Sequence, residues 1–107
     1  MSDWIDVAAV DDFLPGSCRV VETDEGAIAV FNLDGKYYAI DNTCNHNGGE
    51  LSEGELDGDE IECPLHGARF SVISGAVLAP PACENLSTFA VRVAGNWIQV
   101  DAEGEGV

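Results

Sequence analysis

Cys44-Asn45-His46 and Cys63-Pro64-Leu65-His66 are the two segments around which this sequence is organised. Each segment pairs a cysteine with a histidine, and the chain contains only two histidines. Thiolate and imidazole groups are ligands that zinc, copper and iron accept in proteins. The two segments therefore predict a metal centre, and the open question is which metal they hold.

Two kinds of metal centre fit these ligands. A structural zinc site accepts two thiolates and two imidazoles, although both cysteines usually share one segment and both histidines the other. An iron–sulfur cluster with two irons places both cysteines on one iron and both histidines on the other. The cluster requires the two segments to face each other, and the sixteen residues between His46 and Cys63 are enough to connect two neighbouring hairpins.

The rest of the chain predicts short strands separated by turns, and no long segment has helical periodicity. The strongest hairpin signals are Asp34-Gly35 and Gly95-Asn96, each between two β-rich segments. We predict an all-β fold, an antiparallel β-sandwich or a barrel. The predicted strands are residues 4–10, 18–23, 27–33, 36–40, 59–63, 70–73, 86–93 and 97–101.

The spacing of the two segments resembles the Rieske motif, in which C-x-H is followed after a connecting stretch by C-x-x-H. Gly48-Gly49 and Gly67 fit that motif, and Pro80-Pro81 corresponds to a third loop that covers the cluster. The whole chain resembles the small Rieske-type ferredoxins of bacterial multicomponent oxygenases. We expect one Rieske domain over residues 1–107, with a cluster-binding subdomain at about 41–73 inserted in a base subdomain of about 1–40 and 74–107.

The resemblance implies a Rieske 2Fe-2S cluster as cofactor, with Cys44, His46, Cys63 and His66 as its ligands. It implies a one-electron carrier between a flavin-dependent ferredoxin reductase and a terminal Rieske oxygenase that hydroxylates aromatic substrates. Both histidines are used by the cluster, so none remains for a mononuclear iron or for a nucleophile–base pair. We therefore expect an electron-transfer component and not an enzyme.

The composition narrows the choice of partners and location. Four basic and twenty acidic residues give a formal net charge of −16. This charge repels nucleic acids and anionic membranes, and it suits either a basic protein partner or solubility in general. No run approaches the roughly 20 apolar residues of a membrane span. The first residues show no signal-peptide pattern. We expect a cytoplasmic monomer that binds no nucleic acid and no membrane.

Cys18 and Cys83 lie outside the two segments. A free cysteine usually behaves as a small buried hydrophobic residue, and a disulfide is disfavoured in the cytosol. We assign these two residues no chemistry.

Two other functions fit part of the pattern. The small Rieske-type subunit of an assimilatory nitrite reductase would share the fold and differ in its partner. A structural zinc module would serve protein interaction instead of electron transfer. The complete set of four ligands, in a chain of ferredoxin length, favours the oxygenase ferredoxin.

The positions around the ligands predict a low reduction potential. High-potential Rieske proteins carry a disulfide between the two loops, where this chain has Gly49 and Leu65. They also carry a serine and a tyrosine that donate hydrogen bonds toward the cluster, where this chain has Ala68 and Phe70. Fewer donors, and the seven acidic residues within 50–62, stabilise the reduced and more negative cluster less.

We predict a midpoint potential of about −150 mV, within about 100 mV, at the low end of the Rieske range. A potentiometric titration of the loaded protein, followed by its paramagnetic resonance signal, measures this value. A clearly positive midpoint would contradict the prediction.

Overall fold

The computed structural model describes residues 4–23, 26–42, 50–63, 68–79 and 86–101. Within these ranges, eleven strands and two short 3-10 helices form, and the strands pair antiparallel in three sheets. The predicted all-β antiparallel fold is confirmed. The strands are β1 (Trp4–Ala9), β2 (Cys18–Thr23), β3 (Gly26–Leu33), β4 (Lys36–Asp41), β5 (Glu55–Asp57), β6 (Glu60–Glu62), β7 (Arg69–Ser71), β8 (Val77–Ala79), β9 (Thr88–Phe89), β10 (Val91–Ala94) and β11 (Trp97–Asp101).

The first sheet joins the beginning and the end of the described chain, in the order β1-β11-β10. Trp4 lies opposite Asp101 and Ala9 lies opposite Trp97. The β10–β11 hairpin turns at Gly95-Asn96 as predicted, and Gly95 has φ +62°, a conformation that glycine adopts without steric cost.

The second sheet has the order β2-β3-β4-β9. Its central hairpin turns at Asp34 and Gly35, with φ of +55° and +90°. Two consecutive residues with positive φ match the right-handed twist of the flanking strands, which is why Asp-Gly is a strong hairpin signal. The hairpin predicted from this dipeptide is confirmed.

Strand β3 lies between two hydrophobic cores. Ile28 and Val30 pack into the core shared with the first sheet, and the alternate residues Ala29 and Phe31 pack into the core shared with the third sheet. All four are buried. Because side chains alternate along a strand, the continuous apolar run from Ile28 to Phe31 is buried on both sides. The second sheet is therefore the middle layer of the molecule.

The third sheet is built from the short strands β5-β6-β7-β8, in that order. Its inner face contributes Ile61 and Phe70, which lie opposite each other in the ladder and are buried. Its outer face carries charged residues, including Glu62 opposite Arg69. One face therefore completes the second core while the other meets solvent.

The predicted strand 86–93 is wrong, because the chain changes sheets within it. Strand β9 pairs with β4, whereas β10 pairs with β11. Ala90 lies between them, and its carbonyl accepts the backbone N–H of Asp101 at 2.9 Å. An alternating pattern continues through such a change, so periodicity alone does not reveal it.

The predicted strand 70–73 is displaced, because β7 covers Arg69–Ser71. The Ser71 hydroxyl accepts the backbone N–H groups of Ile73 and Ser74 at 3.2 and 3.3 Å. A serine side chain that bonds to the following backbone competes with the strand ladder, and here it helps to form the turn. Strands β5 and β8 were not predicted, since three residues are too few to show a period of two.

The division into a base and a cluster-binding subdomain stays a prediction. The last strand of the third sheet, β8, lies beyond the predicted boundary at residue 73. In the ranges that the structure describes, no helix has the length and apolar character of a membrane span.

Gly75 and Gly95 provide a matched pair for a stability test. Both have positive φ, but a Cβ on Gly75 would collide with the carbonyl oxygen of Leu86, whereas a Cβ on Gly95 meets no heavy atom within 4 Å. We expect Gly95→Ala to lower the free energy of unfolding by about 1 kcal/mol through φ alone. We expect Gly75→Ala to lower it by about 2–4 kcal/mol because the collision adds to the strain. Urea unfolding of both variants measures the difference, and equal losses would contradict the prediction.

Candidate metal centre

The four predicted ligands divide between the described and the undescribed parts of the chain. Cys63 lies in a described range and is 1% exposed. Cys44, His46 and His66 lie outside the described residues, as do the predicted loop residues Gly48-Gly49, Leu65, Gly67 and Pro80-Pro81, and Cys83. The residues that flank these segments show how the chain holds them.

Residues 63 and 68, on either side of residues 64–67, form one backbone hydrogen bond. The N–H of Cys63 donates to the carbonyl of Ala68 at 2.7 Å. This bond continues the β6–β7 ladder, in which Glu62 lies opposite Arg69. The hairpin thus fixes the backbone of Cys63 at the base of the second predicted ligand segment.

Asn42 joins the two ends of residues 43–49. Its carbonyl accepts the N–H of Leu51 at 2.7 Å, and its side-chain Oδ1 accepts the N–H of Ser52 at 2.8 Å. Its own N–H donates to the carbonyl of Ala27 on β3 at 3.0 Å. Asn42 is 1% exposed, so these bonds satisfy polar groups where water is excluded. The first predicted ligand segment therefore begins and ends at a point anchored to the middle sheet.

A third anchor holds the residues that follow 80–85. Leu86 donates its N–H to the carbonyl of Gly75 at 2.7 Å, and Ser87 accepts the N–H of Asp41 at 3.1 Å. Strand β8, which precedes these residues, pairs with β7, and Ala79 lies opposite Arg69. Strand β8 is therefore paired with the hairpin that holds Cys63, and the residues after the proline segment are bonded to the β7–β8 turn and to β4.

The residues at these three anchors share one hydrophobic core. Leu51, Cys63, Ala68 and Leu86 belong to a single buried cluster. Other members come from the second and third sheets and from the turn after β7: Ala29, Phe31, Ile40, Ile61, Phe70 and Val72. The segments that carry the predicted ligands thus leave from one apolar region, which fits a site to which both contribute.

The side chains that follow the second ligand segment offer no hydrogen-bond donors to this core. Ala68 and Phe70 are 1% and 0% exposed and are apolar. Their burial agrees with the sequence argument that hydrogen bonds of the serine and tyrosine type are missing here.

The acidic residues within 50–62 divide into two groups. Asp57, Glu60 and Glu62 contact the guanidinium of Arg69 at 3.7, 3.2 and 3.0 Å. The hydrogen bond to Glu60 is the largest cause of a raised pKa at Arg69, which stays charged. The other four acids are Glu50, Glu53, Glu55 and Asp59. They form no ion pair among the described residues.

Two further titratable groups, Cys18 and Asp41, have shifted pKa values. Burial raises the pKa of the Cys18 thiol to about 11, so this thiol stays protonated at neutral pH and is a weak nucleophile. Cys18 is a free cysteine. Partial burial also raises the pKa of the Asp41 carboxyl, which precedes Asn42.

Residues 3–90 match the sequence model of the Rieske 2Fe-2S domain. The chain belongs to this family. The predicted Rieske 2Fe-2S cofactor is confirmed at the level of the family. The buried thiol of Cys63 fits such a cluster, because it could supply one of the two thiolates that the cluster requires beside two imidazoles.

Curated relatives of this Rieske domain are carriers of dioxygenase systems. The ferredoxin component of the naphthalene 1,2-dioxygenase system of Pseudomonas putida is 37% identical over 98 residues, which are 92% of this chain and 94% of the relative. The biphenyl dioxygenase ferredoxin subunit of Pseudomonas sp. strain KKS102 is 42% identical over 94 residues, 87% of this chain and 86% of the relative. These relatives support the prediction of an electron-transfer component.

Solved structures give the same result for the fold. One chain from a complex of reduced oxygenase and oxidised ferredoxin in carbazole 1,9a-dioxygenase has a TM-score of 0.92 and 36% identity, and the alignment covers 100% of this chain and 99% of that one. A nitrite reductase small subunit from Mycobacterium tuberculosis has a TM-score of 0.82 and 25% identity, covering 100% and 97%. The Rieske fold is therefore common to both predicted functions, and the ferredoxin is the nearer of these two.

Asn42 and Arg69, which support the predicted ligand segments, are not among the residues predicted from the sequence. A signal for Arg69 exists, because it is the only lysine or arginine between Lys36 and Arg92. No comparable signal marks Asn42, whose role depends on bonds to residues ten positions away.

Asn42 can be tested against Asn32, a second buried asparagine. Asn32 is 2% exposed, donates to the carbonyl of Phe13 at 2.7 Å and accepts the N–H of Gly35 at 2.8 Å. We expect Asn42→Ala and Asn32→Ala each to lower the free energy of unfolding by about 1–3 kcal/mol, because buried groups lose partners.

Only Asn42→Ala is expected to accelerate loss of the cluster, because it removes the side-chain bond to Ser52 that helps to join the ends of the first predicted ligand segment. Bleaching of the visible absorbance in the presence of an iron chelator measures the rate. Equal rates in the two variants would show that Asn42 has no special role at the site.

Proposed function

We propose that this chain is the ferredoxin component of a multicomponent Rieske oxygenase. It accepts single electrons from a flavin-dependent reductase and passes them to a terminal Rieske oxygenase that hydroxylates an aromatic ring. The observation that carries this proposal is the near full-length similarity to ferredoxins of naphthalene and biphenyl dioxygenase systems. A structural neighbour with a TM-score of 0.92 comes from a complex of ferredoxin and oxygenase, which supports an oxygenase as the electron acceptor.

The ligands that we propose are Cys44 and Cys63 on one iron and His46 and His66 on the other. The cluster supplies a site that gains and loses one electron, and its two imidazoles place its potential above that of an all-cysteine ferredoxin. The support from the structure is the position of Cys63, whose backbone is bonded to Ala68 and whose side chain lies in the shared core.

The described residues contribute a rigid and dry base for these ligands. Leu51, Ile61 and Phe70 are 0–1% exposed and belong to the same cluster as Cys63. An apolar base of this kind excludes water from one side of the site and limits movement of the ligand backbone. A carrier benefits from that rigidity, because little reorganisation then accompanies the change of charge.

The charge of the chain suits a basic surface on its partners. The net charge is −16, and Glu50, Glu53 and Glu55 are exposed next to the end of the first ligand segment. Opposite charges accelerate encounter between partners, and the effect weakens as salt increases. We propose that both the reductase and the oxygenase present basic residues to this end of the molecule. A monomeric state and a cytoplasmic location stay predictions.

A small subunit of an assimilatory nitrite reductase is the second candidate. The similarity to the small subunit from Mycobacterium tuberculosis, with full coverage of this chain and a TM-score of 0.82, favours it as an alternative. Its identity of 25% is below the 37% and 42% of the dioxygenase ferredoxins. The two candidates differ in the electron acceptor, so reconstitution with each acceptor separates them.

The ligand set is tested with Cys63→Ser and the control Cys18→Ser. We expect the wild type and Cys18→Ser to be brown, to contain acid-labile sulfide and to give a paramagnetic resonance signal after reduction with dithionite. We expect Cys63→Ser to lose most of that signal, because serine is a poor replacement for a thiolate on iron. A colourless wild-type protein that contains only zinc would overturn the proposal.

The carrier function is tested with the loaded wild type. Together with a flavin-dependent reductase and a terminal aromatic-ring dioxygenase, it should support substrate-dependent uptake of oxygen, and Cys63→Ser should not. Reduction of nitrite in the matching assay, without oxygen uptake, would favour the second candidate.

A further inference from the structure

Arg69 is the only lysine or arginine between Lys36 and Arg92, in a stretch that includes all four proposed ligands. The same stretch contains the acidic run 50–62, with seven carboxylates. Between Lys36 and Arg92, Arg69 is thus the only basic side chain near seven acidic ones. It contacts three of these carboxylates at once, and solubility alone does not require such a contact.

The contacts of Arg69 join three strands across the outer face of the third sheet. Its guanidinium donates to Oε1 of Glu60 at 3.2 Å and to Oε1 of Glu62 at 3.0 Å. It also lies 3.7 Å from Oδ2 of Asp57 on β5. A planar guanidinium offers several N–H groups in a fixed arrangement, which suits such a shared contact. The three carboxylates are thus partly neutralised by one group.

This charge cluster lies beside the proposed iron ligand Cys63. Glu62 directly precedes Cys63, and Arg69 directly follows Ala68, whose carbonyl accepts the N–H of Cys63 at 2.7 Å. Neighbouring residues on a strand are about 3.4 Å apart, so Glu62 and Arg69 form the pair of the β6–β7 hairpin that adjoins Cys63. Glu62 and Arg69 face outward, whereas Cys63 is buried.

We propose that Arg69 raises the reduction potential of the cluster by compensating the carboxylates of Asp57, Glu60 and Glu62. This inference rests on the proposed function, since it requires the Rieske cluster at Cys63. Reduction adds an electron, so a nearby positive charge favours the reduced state and uncompensated carboxylates oppose it. Arg69 does not bind the irons. It acts on their potential through the electric field that it shares with the three carboxylates.

A purely structural role explains the contacts less well. The side chain of Arg69 is 34% exposed, and those of its partners are 39–81% exposed. Ion pairs that are this accessible contribute little to stability. The electric field of these charges can still change the potential of a cluster a few residues away. Part of that field passes through the buried core, where screening is weak.

The test compares Arg69→Gln with Arg92→Gln in the loaded protein. Arg92 lies in the first sheet, where its Nε donates to Gln99 at 2.8 Å, and its removal changes the net charge by the same amount. We expect Arg69→Gln to lower the equilibrium constant for one-electron reduction about threefold to tenfold, where tenfold corresponds to about 59 mV. We expect Arg92→Gln to leave it unchanged within the error of the titration.

Two further variants separate charge from structure. Arg69→Lys keeps the charge and should restore most of the wild-type potential even though the shared contact is weakened. Glu62→Gln removes one carboxylate and should raise the potential, the opposite direction from Arg69→Gln. The difference between wild type and Arg69→Gln should also decrease at high salt, because the group is partly exposed.

Each outcome decides one of the two proposals. If the wild type shows no reducible cluster, the proposed function fails. If the wild type is reducible but Arg69→Gln has an unchanged potential, or shifts no further than Arg92→Gln, the inference about Arg69 is overturned while the carrier function stands. If Arg69→Gln fails to retain its cluster, an unchanged or lower potential in Glu62→Gln would equally overturn the inference.

Discussion

The burial of β3 on both faces is the constraint on which the other parts of this structure depend. Its consecutive residues Val30 and Phe31 pack into different cores, and both are 0–1% exposed. The strand thereby fixes the first sheet on one side and the third sheet on the other. The carbonyl of Ala27 on the same strand accepts the N–H of Asn42, so the anchor of the first predicted ligand segment is bonded to this buried strand.

On either side of this middle layer, different faces of the sheets carry the apolar packing and the charged residues. The inner faces of the sheets hold the apolar clusters, and the outer face of the third sheet holds Arg69 and its carboxylates. Buried side chains determine how rigidly the ligand segments are held, because packing and backbone hydrogen bonds lie there. Exposed charges contribute little to that rigidity, but they act on a redox centre through space. The two properties can therefore change independently in sequence.

Much of the fold could be predicted from local patterns. Strands β2 and β11 have the predicted bounds, because each has a β-rich run bordered by a clear turn. The Asp34-Gly35 turn set the register of the central hairpin. The change of sheet at Ala90 could not be predicted, since it depends on the distant partner Asp101, and the three-residue strands β5 and β8 depend on pairing with β6 and β7.

The cofactor was predictable for a different reason, because four side chains of rare type carry most of the information about it. Their supports were not predictable, because Asn42 and Arg69 act through contacts that the sequence does not reveal. A ligand set specifies which cluster can bind, whereas the surrounding charges and hydrogen bonds adjust the potential at which it works. A carrier has to match the potentials of both a donor and an acceptor, so adjustment from outside the ligand set is the route that leaves cluster binding intact. In this chain, Arg69 and its carboxylates are placed for such an adjustment: Glu62 directly precedes Cys63 along the backbone, yet the charge cluster lies on the opposite face of the sheet from its core.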